Sequence, residues 1–475
     1  MIVAHITSEV YPFSRTGMLG DSVYGLAKSQ AQLGECIHVL SPMYTSAGCY
    51  EPYECQFERS FSIFSAGMTY SFDVYTAQTD GVKFVFFRND DFFNRRYIYG
   101  TSSYDYSDND IRFGMFCLAC LQYLREKALN PDIIHCHEWQ AGLVPVYKHL
   151  FYEDIKAKTV FTIHDITFQG VFGKFSIQTL GLPWEMYNIE ELEFYENISL
   201  LKGGATHSDF ITLLSPTYAR EVQTDENSFG LGSFMAKFQD RIEGILGGVD
   251  YERFDPETDI FIKKRYSAAS VSDKLINKED FLMETGLKDI ERPLFLVETK
   301  FTERKGLELI ADSADKLAEI PANFAFLGYG EPKYCSKFKE IANNYDNIFT
   351  SIGISEAMLH KAYAAADFVL RPSLTEPCGK SQIVGMRYGA LPVVRRTGGL
   401  IDTVVDISEP DGYGFFMDGY SRHDLIKQIN RAVDFFQNRD ILYKYAAKVM
   451  GLNFSWTETA EKFLGVYQRI LGGNR

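Results

Sequence analysis

The stretch that decides the fold is residues 371–404, RPSLTEPCGKSQIVGMRYGALPVVRRTGGLIDTV. It predicts the end of a strand, a Glu-Pro-Cys-Gly turn, a helix, a short strand, and a Gly-Gly turn that opens a second helix. Backbone N–H groups at helix N-termini favour a phosphate or a developing negative charge. The carboxylate of Glu376 would repel phosphate, so this side chain suits neutral hydroxyls or a sugar ring. Ordinary strand-to-helix turns, in which Gly and Pro are common, are the alternative interpretation.

Outward from this stretch, other apolar runs are followed by polar or glycine-containing loops. Residues 2–6 form one such run, and a helical pattern begins at about Val23 after the intervening loop. Residues 158–164 and 293–298 predict two further buried strands. Open α/β sheets bind ligands at the carboxyl ends of their strands. The first loop lacks the G-x-G-x-x-G motif, so the pattern predicts doubly wound α/β domains without a bound dinucleotide.

Length and charge limit the functional classes. A chain of 475 residues exceeds one typical core and indicates two or three domains. Its net charge of −15 argues against nucleic acid as a partner. No apolar window of about 20 residues predicts a membrane span. The N-terminus lacks the pattern of a signal peptide, so we expect a cytoplasmic protein with no membrane partner.

Cysteine usage does not indicate a metal or redox site. Of the eight cysteines, only Cys117 and Cys120 form a CxxC pair. They lie in an apolar helical pattern with no second pair nearby, so we expect buried free thiols.

The segment 376–404 resembles the C-terminal signature of bacterial glycogen synthases and plant starch synthases, glycosyltransferase family 5. Other motifs that resemble this family follow one another along the chain. They are RTGMLGD (15–21), HCHEWQAGL (135–143), FTIHD (161–165), KGG (202–204), SPTYARE (215–221) and TERKGL (302–307). The resemblance therefore covers essentially the whole chain.

This resemblance implies an α/β protein with the GT-B fold, in which two Rossmann-like doubly wound domains face a deep cleft. We expect the N-terminal, acceptor-side domain at residues 1–245. The C-terminal nucleotide-sugar-binding domain is expected at residues 246–455, after a Gly- and Pro-containing connector. Residues 456–475 are expected to form a helix that packs back on the N-terminal domain.

The implied activity is that of a retaining glucosyltransferase, which extends an α-1,4-glucan such as glycogen from ADP-glucose at the non-reducing end. The leaving diphosphate gains negative charge, so a site without a metal or cofactor must supply Lys, Arg and helix N-termini. By resemblance, the catalytic residues are His164, Lys300, Lys305 and Glu376. The donor-binding residues are Arg15, Gly17, Gly20, Cys378, Gly379, Thr397, Gly398 and Gly399. The acceptor-binding residues are Asp21 and Glu138, although Asp21 is also suited to be a helix N-cap.

His135, His137 and Glu138 also suggest a metal site. Two histidines at positions i and i+2 of a strand share a face. The sequence shows no further ligand beside them, and the family needs no metal, so we expect none.

Several positions depart from the residues usual in this family. Arg15 replaces a Lys, Met18 a Gly, and Lys300 an Arg, while Ile354 replaces a Tyr that forms one wall of the base pocket. These departures leave two other interpretations open. One is a glycosyltransferase that uses another nucleotide sugar or a small acceptor. The other is a non-catalytic glucan-binding partner of a second synthase.

Overall fold

Apolar runs of the sequence form the strands of two mostly parallel sheets in the computed structural model, which describes residues 1–50, 53–101 and 104–472. The chain divides into two compact units. The first contains residues 1–214, 219–248 and 456–475, and the second contains residues 215–218 and 249–455. No helix within the described residues has the length and apolar character needed to cross a bilayer.

The strands of the first unit are β1 (Ile2–Ile6), β2 (Cys36–Pro42), β3 (Gln56–Ser65), β4 (Met68–Thr79), β5 (Val82–Arg88), β6 (Ile133–His137), β7 (Lys158–Ile163), β8 (Val171–Gly173), β9 (Glu193–Phe194), β10 (Asn197–Ser199), β11 (Phe210–Leu213) and β12 (Ile242–Gly244). Nine of them form one sheet in the order β12-β11-β7-β6-β1-β2-β5-β4-β3. Within it, only the pairs that β4 makes with β3 and β5 are antiparallel. A separate antiparallel sheet has the order β8-β10-β9. The centre of the large sheet is covered on both faces, which explains why β6 is buried at every residue.

The helices of the first unit before its last segment are α1 (Met18–Gln32), α2 (Asp90–Phe93), α3 (Asn109–Glu126), α4 (Leu143–Phe151), α5 (Ser176–Thr179), α6 (Leu200–His207), α7 (Pro216–Glu221), whose first residues belong to the second unit, and α8 (Gly232–Ala236). Short 3₁₀ turns occur at Trp139–Ala141, Trp184–Met186 and Gln239–Arg241.

Helix α1 begins five residues earlier than the predicted start at Val23, which was wrong. Its N-cap is Gly17, which provides no side-chain hydrogen bond, so the usual sequence signal of a helix start is missing. Asp21 therefore lies within the first turn of α1 and is not its N-cap.

In the second unit, the strands are β13 (Leu294–Phe301), β14 (Asn323–Gly330), β15 (Ile348–Ile352), β16 (Phe368–Arg371), β17 (Leu391–Arg395) and β18 (Phe415–Met417). They form one sheet, in the order β15-β14-β13-β16-β17-β18, in which every pair is parallel. The helices are α9 (Lys274–Thr285), α10 (Leu307–Ala311), α11 (Ala314–Glu319), α12 (Pro332–Asn344), α13 (Glu356–Ala365), α14 (Lys380–Arg387), α15 (Gly398–Thr403), α16 (Arg422–Phe436) and α17 (Arg439–Met450), with 3₁₀ turns at Ala268–Asp273 and Glu303–Lys305. The strand, helix, strand, helix prediction for residues 371–404 is confirmed by β16, α14, β17 and α15.

The last helix, α18 (Trp456–Ile470), belongs to the first unit and packs against α1. Its buried residues, among them Trp456, Phe463 and Tyr467, recur at helical spacing and form one apolar stripe. A Cβ atom at Gly25 of α1 would lie 2.3 Å from the indole of Trp456. The close approach of the two helices therefore requires glycine at this position.

Each parallel sheet has a point at which the strand order reverses. In the first unit this point lies between β1 and β6, and in the second it lies between β13 and β16. Open α/β sheets bind ligands beyond the carboxyl ends of the strands at such points. The prediction of two doubly wound α/β domains is confirmed, and the loops after these four strands are the places where a site is expected.

Candidate active site

In the second unit, the loops after β13 and β16 bring Lys305 and Glu376 into direct contact. The ammonium group of Lys305 donates a hydrogen bond of 2.7 Å to Oε1 of Glu376. The two loops pack tightly, since a Cβ atom at Gly306 would lie 2.1 Å from the carbonyl oxygen of Pro372. Gly306 also has a φ of +77°, which favours glycine. The adjacent residues Lys305 and Gly306 therefore place the ammonium group of Lys305 against Glu376.

The other carboxylate oxygen of Glu376 is held by Arg371 and Ser373. Arg371 donates through Nη2 at 2.6 Å, and Ser373 donates through its hydroxyl at 3.0 Å. Glu376 is buried, and burial alone would raise its pKa. The charges of Lys305 and Arg371 outweigh burial and lower the pKa of Glu376 to about 2. This carboxylate is therefore ionised and fully paired near neutral pH.

Arg371 is held in turn by residues that the sequence analysis missed. Its Nη1 atom donates to the backbone carbonyl of Glu298 at 2.6 Å. The side chain of Glu298 accepts hydrogen bonds from Tyr363 at 2.9 Å and from Ser381 at 2.5 Å. An arginine at the buried end of an apolar strand was the available signal for Arg371, because a buried charge requires a partner.

Most of the expected donor-binding residues lie in one compact turn region beside Glu376. The backbone N–H of Gly399 donates to the carbonyl oxygen of Glu376 at 2.9 Å. A Cβ atom at Gly399 would lie 2.2 Å from the carbonyl oxygen of Cys378. Gly379 caps α14 with a φ of +79°, and Thr397 caps α15. The structure thus brings together Cys378, Gly379, Thr397, Gly398 and Gly399.

Lys300 is placed differently from Lys305. It is exposed near the end of β13, and its ammonium group forms no hydrogen bond or ion pair with a residue in the described part of the chain. The structure therefore does not bring Lys300 into the hydrogen-bonded group around Glu376.

In the first unit, Glu138 lies beyond the end of β6 and holds the loop that follows β7. Its Oε1 atom accepts hydrogen bonds from the backbone N–H groups of His164 at 2.6 Å and Asp165 at 2.8 Å. Burial, with a smaller contribution from the charge of Asp165, raises the pKa of Glu138 to about 8. Glu138 thus fixes the backbone of His164, and its carboxyl is largely protonated at neutral pH.

His164 is half-buried directly after β7, and its ring contacts another histidine. Its Nε2 atom lies 3.1 Å from Nδ1 of His137. Burial lowers the pKa of His164 to about 3, against the opposing charge of Asp165. A neutral imidazole at this position can exchange hydrogen bonds with hydroxyl groups without carrying charge.

The loop after β1 carries the remaining expected site residues. Arg15 is partly exposed, and its guanidinium lies 3.3 Å from Oδ1 of Asp21. Gly20 lies against the loop, since a Cβ atom there would be 3.0 Å from the carbonyl oxygen of Ser14. Gly17 has open space around the position of a Cβ atom. Arg15 and Asp21 are thus paired in this loop.

Glu9 is a residue of this loop that the sequence analysis did not select. It is buried and accepts hydrogen bonds from the backbone and hydroxyl of Thr16 and, at 3.0 Å, from Tyr99. Burial raises the pKa of Glu9, and these hydrogen bonds oppose the shift. Glu9 therefore holds the segment that carries Arg15 and Gly17.

The histidine cluster differs from the one considered on sequence. His5 of β1 lies beside His135 and His137, and ligand atoms of the three lie within 4.8 Å of one another. His5 could not be recognised from the sequence, because only the register of β1 on β6 places it opposite His135. Glu138 points to backbone N–H groups instead, and the three histidines are hydrogen-bonded to other side chains or to one another.

Comparison with known proteins identifies the family. The family profile described as "Starch synthase catalytic domain" matches residues 2–237, and that described as "Glycosyl transferases group 1" matches residues 278–449. Glycogen synthase from Aquifex aeolicus is 37% identical over 471 residues, covering 99% of each chain. Glycogen synthase from Koribacter versatilis is 36% identical over 478 residues, covering 99% of this chain and 98% of that protein.

Solved structures give the same result. The catalytic domain of starch synthase IV from Arabidopsis thaliana, bound to ADP and acarbose, superposes with a TM-score of 0.92 at 29% identity over 99% of each chain. A sucrose-phosphate synthase from Thermosynechococcus elongatus has a TM-score of 0.64 at 16% identity over 100% of each chain, which shows a common fold. The chain therefore has the GT-B fold and belongs to the glycogen and starch synthase family, glycosyltransferase family 5.

Proposed function

We propose that this protein is a retaining glucosyltransferase that extends an α-1,4-glucan such as glycogen, using ADP-glucose as the donor and the non-reducing end as the acceptor. Full-length relatives carry the name glycogen synthase, and the starch synthase of similar structure binds ADP and acarbose. The observation that carries the proposal is the ion cluster of Lys305, Glu376 and Arg371 at the strand-order reversal of the second unit.

The charge balance of this cluster suits a leaving diphosphate. Glu376 contributes one negative charge, and the two side chains that hold it, Lys305 and Arg371, contribute two positive charges, so these cations outweigh the charge of Glu376. Lys305 is the more exposed of the two cations, with 20% of its side chain accessible against 5% for Arg371. We therefore assign Lys305 to the developing charge on the diphosphate, together with Lys300 and Arg15.

The glycine turns supply the uncharged part of the donor site in this proposal. Gly379 is the N-cap of α14, and Gly398 and Gly399 are the first two residues of α15. We assign these turns, with Cys378 and Thr397, to the nucleotide diphosphate. Gly17 and Gly20 are assigned to the donor in the loop after β1.

The remaining roles concern the sugar. With both carboxylate oxygens held, Glu376 is suited to orient donor hydroxyls and is poorly suited to attack carbon as a nucleophile. His164 is assigned to the donor glucose. Asp21 and Glu138 are assigned to the acceptor, as the family resemblance implies. Glu138 also holds the backbone of His164.

Within the same proposal, residues 1–245 form the acceptor-side domain and residues 246–455 form the nucleotide-sugar-binding domain. The C-terminal segment, residues 456–475, completes the acceptor-side domain.

The proposal is tested by measuring glucose incorporation into glycogen with ADP-glucose and UDP-glucose supplied separately, for the wild type and for Glu376→Ala. Incorporation from ADP-glucose that is lost in the variant is the expected result. Incorporation from UDP-glucose alone would indicate a different donor, as would fit the replacement by Ile354 of the Tyr that, by resemblance, lines the base pocket in this family. Glycogen binding without transfer from either donor would indicate a non-catalytic glucan-binding protein.

A further inference from the structure

Four side chains of the first unit form a continuous row that begins at His164. Nε2 of His164 lies 3.1 Å from Nδ1 of His137, and Nε2 of His137 lies 3.0 Å from Nδ1 of His5. Nε2 of His5 lies 2.8 Å from Oε1 of Gln30 on α1. Each histidine inside the row thus uses both ring nitrogens.

The row is buried and neutral. His5 and His137 are almost fully inaccessible to solvent. Burial lowers the pKa of His5 to about 4, against an opposing hydrogen bond from Gln30, and it lowers the pKa of His137 well below its usual value. A neutral imidazole has one N–H donor and one acceptor nitrogen. The proton position on one ring therefore dictates the proton position on the next.

The Gln30 amide at the far end of the row determines the direction in which the histidines donate their hydrogen bonds. The amide of Gln30 lies with Oε1 toward His5 and with Nε2 donating to the hydroxyl of Tyr467 at 3.2 Å. The hydroxyl of Tyr467 lies 2.6 Å from Nδ1 of His135, which can accept its hydrogen. His5 must then donate through Nε2, His137 through Nε2, and His164 through Nε2.

We propose that His137 and His5 are positioning residues that hold the proton of His164 on Nε2 and keep Nδ1 as a hydrogen-bond acceptor for a hydroxyl of the donor sugar. This proposal rests on the proposed function, because it takes the role of His164 from there. The row itself lies entirely within the first unit.

The hydrogen-bonded row and a metal ion would require the same ring nitrogens of His5 and His137. Both ring nitrogens of His5 and of His137 take part in the row, so a metal held by His5, His135 and His137 would replace at least one of these contacts. Metal analysis of the purified protein, together with the proton positions, therefore decides between the two arrangements.

The first test is ¹⁵N NMR of the full-length protein labelled at histidine, with His164 assigned from the signals lost in His164→Gln. We expect the proton of His164 on Nε2 and no stoichiometric metal. Three results would overturn the proposal: the proton of His164 on Nδ1, a mixture of the two forms, or a bound metal. A reversed Gln30 amide would give the first of these. This readout does not depend on glucose transfer, so it can fail while the proposed function holds.

The second test is a matched pair of variants. In His137→Asn, the side-chain amide occupies the position of Nδ1 and can accept the hydrogen bond from His164. In His137→Gln, the amide occupies the position of Nε2 and can form a hydrogen bond only with His5. We expect kcat with ADP-glucose to fall by about 10-fold in His137→Gln, the scale of one lost hydrogen bond, and clearly less in His137→Asn. Their KM for glycogen should be unchanged, and ¹⁵N NMR should show the Nε2 proton on His164 only in His137→Asn.

A structural role alone predicts a different pattern. Both variants would then lose Tm and kcat to the same extent, and this equal loss would overturn the proposal. The wild type could also show no glucose transfer from any nucleotide sugar while His164 carries its proton on Nε2. This result would reject the proposed function but would leave the hydrogen-bonded row of histidines supported.

Discussion

Two buried glutamates beyond the ends of parallel strands, Glu376 after β16 and Glu138 after β6, have pKa values that are shifted in opposite directions. The pKa of Glu376 falls to about 2 because Lys305 and Arg371 outweigh burial. The pKa of Glu138 rises to about 8 because burial dominates and its partners are backbone N–H groups. The same side chain in the same topological place is thus an ion in one unit and largely neutral in the other.

Under the proposed function, this contrast corresponds to different roles for the two units. The second unit gathers compensated charges, which suit a leaving diphosphate. The first unit combines a protonated carboxyl with neutral histidines, which suit uncharged sugar hydroxyls. The following variants test this contrast, in order of decreasing expected effect.

Removing Glu376 should have the largest effect on stability. Glu376→Ala leaves Arg371 buried without its carboxylate partner, so we expect a loss of about 3–5 kcal/mol in the free energy of unfolding. Urea denaturation of the wild type and the variant measures this loss. A loss below about 1 kcal/mol would contradict the buried ion pair.

Removing the cation of Lys305 should act on catalysis more than on folding. Lys305→Met keeps the apolar stem but not the charge, and we expect kcat with ADP-glucose to fall about 100- to 1000-fold. Steady-state kinetics provide the measurement, with Lys316→Met, an exposed lysine of α11, as the matched control. If kcat fell equally in both variants, or did not fall in Lys305→Met, the assignment of Lys305 to the active site would be wrong.

The opposite pKa shifts should produce opposite pH dependences. The folded-state pKa of Glu138 lies above its usual value of 4.5, so its contribution to stability is present below pH 4.5 and is lost as pH rises toward about 8. Glu376 has a lowered pKa, so its contribution is present above pH 4.5 and is lost as pH falls toward about 2.

Glu138→Gln should therefore remove a decline in stability between about pH 4.5 and 8. We expect the wild type to lose about 1–3 kcal/mol more than this variant across that range. Denaturant titrations at several pH values give the comparison. A wild type that gains stability relative to Glu138→Gln as pH rises would show that Glu138 is ionised.

The exposed pair of Arg15 and Asp21 should contribute least to stability. Its atoms lie 3.3 Å apart with the arginine 40% exposed, and such pairs are worth less than about 1 kcal/mol. Asp21→Asn should thus leave the unfolding free energy nearly unchanged. A loss in this variant comparable to that in Glu376→Ala would contradict the contrast between exposed and buried pairs.

Local patterns predicted much of this fold. The apolar runs and the Gly and Pro turns of residues 371–404 marked β16, α14, β17 and α15 because a parallel strand buried on both faces is apolar throughout. Resemblance to a known family supplied Glu376 within that segment and Lys305 within residues 302–307, and the structure brings these two side chains into contact.

The missed residues depend on packing across the chain. Arg371 pairs with Glu376 inside the protein, and a charged residue at the end of an apolar strand was its signal in the sequence. His5 meets His135 only through the register of β1 on β6, which no local pattern records. The early start of α1 was missed because its N-cap, Gly17, contributes no side-chain hydrogen bond.

The most direct test of the central claim compares two buried carboxylates that each pair with an arginine. Glu376 pairs with Arg371, and Asp406, remote in sequence from the Glu376 turn, pairs with Arg431 at 2.9 Å. The measurement is the initial rate of glucose transfer from ADP-glucose to glycogen in Glu376→Gln and Asp406→Asn. We predict that Glu376→Gln loses at least about 100-fold, because a misoriented reacting group costs this much, while Asp406→Asn keeps nearly the wild-type rate. Similar rates in the two variants would contradict the claim that the Glu376 cluster serves the transfer reaction.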